Sequence, residues 1–203
     1  SISKLIKWDD LRMEIILNCT QDSIKKAAKA LKDGHLVAFP TETVYGLGAD
    51  ASNPTSVARI YEVKGRPTDH PLIVHISSIS QIDKWAVDVP AYAVNLARNF
   101  WPGPMTLIFR RSAIAQDFIT GGQDTVGLRI PSNPLALALI EEFERISDSA
   151  IAAPSANPFE RISPSSAKHV VDYFPIGLKM VLDGGPCQAG IESTIVGLES
   201  NKV

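Results

Sequence analysis

Residues 21–48 read QDSIKKAAKALKDGHLVAFPTETVYGLG, and the fold class turns on how that stretch divides. From Gln21 to Lys32 the apolar side chains Ile24, Ala27, Ala28 and Leu31 recur at helical spacing. One stripe of such a helix faces a core and the rest faces water. Asp33-Gly34 stops it. His35 to Phe39 then read as a buried strand. Pro40-Thr41-Glu42-Thr43 follows as a polar loop at the strand end, and Gly46-Leu47-Gly48 reads as a tight turn in which only glycine fits.

The same interleaving of helix and strand runs on. Asn53-Pro54 opens a helix with proline at its first position, and the helix reaches Lys64 with Gly65 as its cap. Strands are predicted over Pro71 to Ile76, Met105 to Arg110, Thr125 to Ile130, Ala150 to Ala153, Lys179 to Asp183 and Ser193 to Leu198. Helices are predicted over Ile79 to Ala86, Ala91 to Phe100, from Asn133-Pro134 to Phe143, and Ser165 to Phe174. Trp101-Pro102-Gly103-Pro104 and Gly121-Gly122 break the chain between elements. Strand and helix do not alternate strictly. An α/β fold with a mixed parallel and antiparallel sheet is therefore predicted over a doubly wound parallel one. Thr41, Thr43, Ser155 and Asn157 fall just after strands, where sites form in such sheets.

With 203 residues, 45% of them hydrophobic, the chain can bury one sizeable core. A formal net charge of −2 excludes a global basic field for nucleic acid. Lys25, Lys29 and Lys32 share a helix face. That reads as a solvated face, with weak contact to RNA phosphates as the functional alternative. Cys19 and Cys187 are too few for a disulfide framework or a cysteine zinc site and suit a reducing cytosol. Ser1 to Leu17 lacks the apolar segment and cleavage site of a secretion signal, and no apolar run is long enough to span a bilayer. A cytoplasmic protein is expected.

Several residues carry candidate chemistry. Lys64-Gly65-Arg66 places two cations one residue apart at a helix end, expected to face solvent, and suits a polyanion such as a triphosphate. Ser155-Ala156-Asn157 offers small hydrogen-bonding groups after the apolar run Ile151-Ala152-Ala153-Pro154. Ser155 lacks a G-x-S-x-G elbow, so ligand binding or turn capping is favoured over nucleophilic attack. Gly46 to Ala51 matches G-x-G-x-x-A only formally, because the helix starts later, at Asn53-Pro54. No P-loop motif is present. His70 and His75 straddle a proline and lack cysteine or acidic support, so no protein-held metal is predicted. His75 reads as a satisfied core histidine or as a polar tip at a pocket. Arg129, in an otherwise apolar strand, requires an anionic partner, either a ligand or an internal carboxylate.

Taken together, the segments PTETVYGLG from Pro40, KGRP from Lys64, PLIVHI from Pro71, WPGPMTLI from Trp101, VGLRIP from Val126, PSAN from Pro154, SPSSA from Ser163 and ESTIV from Glu192 resemble the YrdC/Sua5 family of threonylcarbamoyl-AMP synthases. They run in order over nearly the whole chain. The resemblance implies a twisted mixed parallel/antiparallel sheet with flanking helices around a large open cavity. It implies condensation of L-threonine, bicarbonate and ATP to threonylcarbamoyl-AMP with release of pyrophosphate. The product serves N6-threonylcarbamoyladenosine formation at position 37 of tRNAs reading ANN codons, completed by a Kae1/TsaD-type transferase. By motif position, Lys64, Arg66, Ser155 and Asn157 would be catalytic. Lys64, Arg66, His70, Thr125, Ser155 and Ser163 would bind ATP. Thr43, His75, Arg129, Ala153 and Ser193 would bind threonine, with Thr41 and Thr194 as neighbours. Magnesium would arrive with ATP and use its phosphate oxygens. Some members also bind double-stranded RNA.

His70 stands where many relatives have asparagine. Relatives continue past the position of Val203 into a strand with an Arg-Pro-Gly-like stretch, and long ones add a Sua5 domain. Residues 1–203 are thus expected to be a single catalytic domain without that last strand. The alternatives are a related carbamoyl-adenylate-forming enzyme and an RNA-binding translation or ribosome-maturation factor.

Overall fold

The computed structural model describes residues 13–188 and 191–197. The segment before Met13, the end of the strand expected to reach Leu198, and anything after it lie outside the described residues.

Polar caps begin the main helices. Thr20 accepts the Ser23 amide at the start of α1 (Gln21–Lys32). Asn53 accepts from Thr55 and Ser56 at α2 (Pro54–Lys64), and Asn133 does the same for Leu135 and Ala136 at α6 (Pro134–Ser147). Each side chain satisfies amides that lack a partner within the helix, and each proline sits where no amide is needed. Gly65, at φ 66°, closes α2 in the left-handed conformation that glycine adopts at little cost. The remaining helices are α3 (Ile82–Trp85), α4 (Ala91–Phe100), α5 (Asp117–Thr120) and α7 (Ala167–Tyr173).

The strands are β1 (Glu14–Ile16), β2 (Val37–Pro40), β3 (Tyr45–Asp50), β4 (Ile73–His75), β5 (Ala86–Val87), β6 (Met105–Arg111), β7 (Thr125–Arg129), β8 (Ile151–Ala152), β9 (Met180–Leu182) and β10 (Thr194–Val196). They form one sheet in the order β1-β9-β2-β3-β8-β4-β7-β6-β10, with β5 also on β6. β1/β9, β9/β2, β4/β7 and β6/β10 are parallel; the other pairs are antiparallel. The mixed α/β sheet with flanking helices expected from the sequence is present.

Two expectations need correction, and one strand was not anticipated. Gly46 and Gly48 do not form a turn: they lie inside β3, which pairs Tyr45 to Gly48 with Pro40 to Val37. Gly48 is required by close approach. A Cβ there would sit 2.8 Å from Phe39 and 3.0 Å from Ile151. The helix expected over Ile79 to Ala86 is a 3-10 turn (Ile79–Gln81) and then α3, after which Ala86 enters β5. Glu14–Ile16 forms a strand that short length and flanking charges hid.

Register sorts the side chains into two faces, since neighbours directly across a ladder project the same way. On one face, Ala38, Leu47, Val74, Leu107, Phe109, Val126, Leu128 and Ala152 join a core completed by Val57 and Ile60 of α2, Ala93 and Ala97 of α4 and Val170 of α7. On the other face, Val37 and Phe39 of β2, Ile151 of β8 and Met180 and Leu182 of β9 pack under Ile24 and Leu31 of α1 and Leu139 and Phe143 of α6. Ladders carry that second face onward. His75 lies opposite Ile151 and Arg129, Gly127 opposite Ile73 and Ile108, and Thr106 opposite Ile195.

Candidate functional site

Where α1 and α6 end, the second face forms the floor of a cleft of about 700 Å³. Ile73 and His75 of β4, Gly127 and Arg129 of β7, Thr106 and Ile108 of β6 and Ile195 of β10 line it. A Cβ on Gly127 would meet Ile108, Thr106 and Ile73 at 3.2 to 3.4 Å, so the glycine keeps the floor low between two isoleucines. Thr41, Thr43 and Val44, from the β2–β3 hairpin, edge the cleft at one side, and Arg66, His70, Pro154, Ser155, Ser163, Glu192 and Ser193 edge it elsewhere.

The hairpin is internally bonded. Thr41 Oγ1 lies 2.9 Å from Thr43 Oγ1, donates to the Val44 carbonyl at 2.7 Å, and accepts the amides of Thr43 and Val44. Between the threonines, Glu42 forms an ion pair with Arg129 and accepts from both the amide and the hydroxyl of Ser132. Arg129 Nε–H donates to the Gly103 carbonyl at 3.1 Å. The anion Arg129 needs is thus internal: Glu42, in the loop after a buried strand. The guanidinium has five N–H donors, so among the described residues these two partners leave others free on a side chain that lines the cleft. Burial lowers its pKa to about 10, which leaves it cationic at neutral pH.

His75 is 3% exposed and its ring stands edge-on to Phe39 at 6.3 Å, where the covered and open halves of the face meet. Its Nδ1 is 3.2 Å from the Ile73 carbonyl, and the Ile151 carbonyl also bonds the ring. Burial pushes its pKa down to about 4. His75 is therefore a neutral group, both a core residue and a pocket tip.

Arg66 follows the glycine cap of α2. Its Nη2 donates to the Pro71 carbonyl at 2.9 Å, while Nε is buried with no acceptor among the described residues. Burial lowers its pKa as well. Lys64 differs from the solvent-facing cation expected. It is 4% exposed, because the 154–164 segment closes over the end of α2. Its Nζ donates to the main-chain carbonyls of Ser155 at 2.5 Å and Asn157 at 2.6 Å. Burial, and then the charge of Arg66, lower its pKa to about 8.

The cleft brings together Thr41, Thr43, Arg66, His70, His75, Arg129, Ala153, Ser155, Ser163 and Ser193. Lys64, Asn157, Thr125 and Thr194 are not among its lining residues. Asn157 Nδ2 donates to the carbonyls of Pro158 and Arg161, shaping the loop from inside. Thr125 begins β7 across from Arg110, one floor position beyond Gly127. Gly127, Ile108 and Glu42 are contributors that residue-type reasoning passed over. Among the described residues no cluster of three or more histidine, cysteine or acidic side chains lies together, and no helix is long and apolar enough to cross a membrane.

This fold, with a mixed sheet whose open half carries Arg129 and whose rim holds Arg66 and several hydroxyl side chains, is that of a defined family. The chain belongs to the Sua5/YciO/YrdC family: its model, described under telomere recombination, matches residues 29–203. The chain is 47% identical to the threonylcarbamoyl-AMP synthase of Pyrococcus abyssi over 190 residues, 92% of this chain and 55% of the relative. It is 46% identical to that of Bacillus subtilis over 182 residues, 89% of this chain and 51% of the relative. The crystal structure of P. abyssi Sua5 complexed with L-threonine superposes with a TM-score of 0.87 at 44% identity, covering 94% of this chain and 55% of that one. The chain spans about half the length of these relatives.

Proposed function

We propose that this chain carries the threonylcarbamoyl-AMP synthase site: L-threonine, bicarbonate and ATP enter the cleft and threonylcarbamoyl-AMP and pyrophosphate leave it. The observation that carries this reading is the pairing of two cationic forks in one cleft. Arg66 has a buried Nε–H without an acceptor, and Arg129 has donors left after Glu42 and Gly103. One suits a polyphosphate and the other an amino-acid carboxylate. The relatives' activity and the L-threonine complex of P. abyssi Sua5 support the same assignment.

The chemistry asks for positioning. The threonine amine adds to the bicarbonate carbon with loss of water and gives a carbamate. A carbamate oxygen then attacks the α-phosphorus of ATP; the bond to the bridging oxygen breaks and pyrophosphate departs with its electron pair. The nucleophile is the substrate's own, so the protein holds two anions in line and spreads the charge that develops. Arg66, His70, Ser155 and Ser163 serve the nucleotide. Thr43, His75, Arg129, Ala153 and Ser193 enclose threonine. His75, a neutral ring at the cleft lining, borders the threonine side chain. Among the described residues the lining offers one carboxylate, Glu192, on an exposed stretch, so magnesium would be held through the phosphates of ATP. The product would pass to a Kae1/TsaD-type transferase acting on tRNA, in the cytoplasm.

Release of pyrophosphate from ATP tests the reading. It should require both threonine and bicarbonate, with serine a moderately poorer substrate and alanine poorest. One methyl is worth about 1–3 kcal/mol in a pocket, and loss of the hydroxyl leaves a buried partner unpaired. Release with carbamoyl phosphate alone, or equal use of alanine and threonine, would overturn it.

A further inference from the structure

We propose that Lys64 is a positioning residue: its ammonium staples the Ser155–Asn157 turn to the end of α2, setting Ser155 and Ser163 in register with Arg66 instead of contacting phosphate itself. The inference rests on the cleft being the nucleotide site and assigns Lys64 a different part in it from that of Arg66.

Lys64 is bonded to the turn at three points. Nζ reaches the carbonyls of Ser155 and Asn157, and the Lys64 carbonyl accepts the Phe159 amide at 2.7 Å. On its other side the same segment is tied to β3: the Ala156 amide donates to the Tyr45 carbonyl and the Leu47 amide to the Pro154 carbonyl, both at 2.8 Å. The turn is thus fixed between β3 and the helix that delivers Arg66 two residues later. The next loop is held from the same helix, where the Tyr61 hydroxyl donates to the His70 carbonyl at 2.8 Å.

The chemistry explains why a lysine stands here. The carbonyls of Ser155 and Asn157 converge on the Lys64 ammonium, which is itself buried. An ammonium satisfies both at once through charge-assisted bonds. A neutral apolar side chain would take the ammonium from both carbonyls, leaving the Ser155 carbonyl with only the Asn157 amide at 3.0 Å and the Asn157 carbonyl without its Lys64 donor, and the turn would open to hydrate them. Burial disfavours the charged form, and the two carbonyls offset that cost. At 4% exposure and outside the lining, Lys64 does not border the cleft.

A positioning role and a phosphate-binding role diverge before any ligand is added. In the ligand-free protein, Lys64→Met should raise the hydrogen-exchange rates of the Ala156 and Phe159 amides by at least about tenfold. Arg66→Ala should leave them unchanged. In steady state, Lys64→Met should lower kcat/KM for ATP and for threonine by similar factors, on the order of 100-fold for a displacement near 1 Å. Ala153 and Ser155, on one segment, border both substrates. Arg66→Ala should act chiefly on ATP. Propylammonium added to Lys64→Ala should restore both parameters together.

Unchanged amide exchange in Lys64→Met, or a loss confined to ATP, would overturn the proposal. Should Lys64→Met not fold, Lys64→Arg carries the test, because its fork can bridge both carbonyls: amide protection should stay near wild type, and any loss should fall equally on both substrates. If the wild-type chain releases no pyrophosphate, the activity reading fails on its own. Amide exchange, together with ATP and threonine affinities measured by calorimetry, would still decide the role of Lys64.

Discussion

One face of one sheet does two jobs. Over β2, β8 and β9 it carries Val37, Phe39, Ile151, Met180 and Leu182, sealed by α1 and α6. Over β4, β7, β6 and β10 it carries Ile73, His75, Arg129, Gly127, Ile108, Thr106 and Ile195, and no helix of that layer reaches it. Ladder and alternation are continuous across the boundary, so backbone geometry does not separate the halves. Side-chain chemistry does. The covered half is apolar. The open half interleaves isoleucines with a histidine, an arginine, a threonine and a glycine, which is how a binding floor differs from a core. Phe39 and His75 meet in a T-shaped ring contact where one becomes the other.

Substitutions that truncate each half sharpen this contrast. Phe39→Ala, in the covered half, removes a fully buried ring. It should cost about 3–5 kcal/mol, read as a fall in the urea midpoint, while substrate affinities in the surviving folded protein stay near wild type. A loss below about 1 kcal/mol would mean that α1 and α6 do not seal that face. At the open end, Arg66→Ala should lower kcat/KM for ATP on the order of 100-fold, equivalent to about 3 kcal/mol, with little change in midpoint. Arg66→Lys should recover only part, because a point charge cannot replace a planar fork. Full activity in Arg66→Ala would remove the triphosphate assignment.

The boundary itself is pH-sensitive. His75 ordinarily titrates at 6.5 and here at about 4. Between those values the unfolded chain binds a proton that the folded chain refuses. Stability present above pH 6.5 is therefore lost as pH falls towards 4, by up to about 3 kcal/mol. Wild type minus His75→Gln in urea midpoint across that range isolates the contribution. Parallel curves for the two proteins would contradict burial of a neutral ring. Smallest of all, Ile108→Ala on the open floor should cost about 1 kcal/mol or less of stability, because its side chain is already part-exposed. It should raise the KM of a substrate that rests on it.

Much of this was legible in the sequence, for physical reasons that vary by element. α1 and α2 announced themselves through apolar period, caps and the glycine after Lys64. The strands PLIVHI and TVGLRI stood out as apolar runs between turn signals. β3 did not, because Gly46 and Gly48 look like turn residues until Phe39 and Ile151 are seen to need their missing Cβ atoms. The segments around Thr43, Arg66, His75, Arg129 and Ser155 were recognisable as motifs, and all five line one cleft. Lys64 shows what a motif conceals. Beside Arg66 it looks like a second surface cation, and only the closure of the 154–164 segment makes it a buried staple. Glu42 is similar: its partners Arg129 and Ser132 are remote in sequence, and pairing at that range leaves no local pattern.

The most direct test of the central claim is a crystal structure of the chain with L-threonine and a non-hydrolysable ATP analogue bound. The account predicts both ligands on the open half of the second face, the threonine carboxylate against Arg129 beside Thr43 and His75, and the phosphates between Arg66 and Ser155, with Lys64 still on its two carbonyls. Ligands bound elsewhere, or Lys64 swung out onto a phosphate, would contradict it.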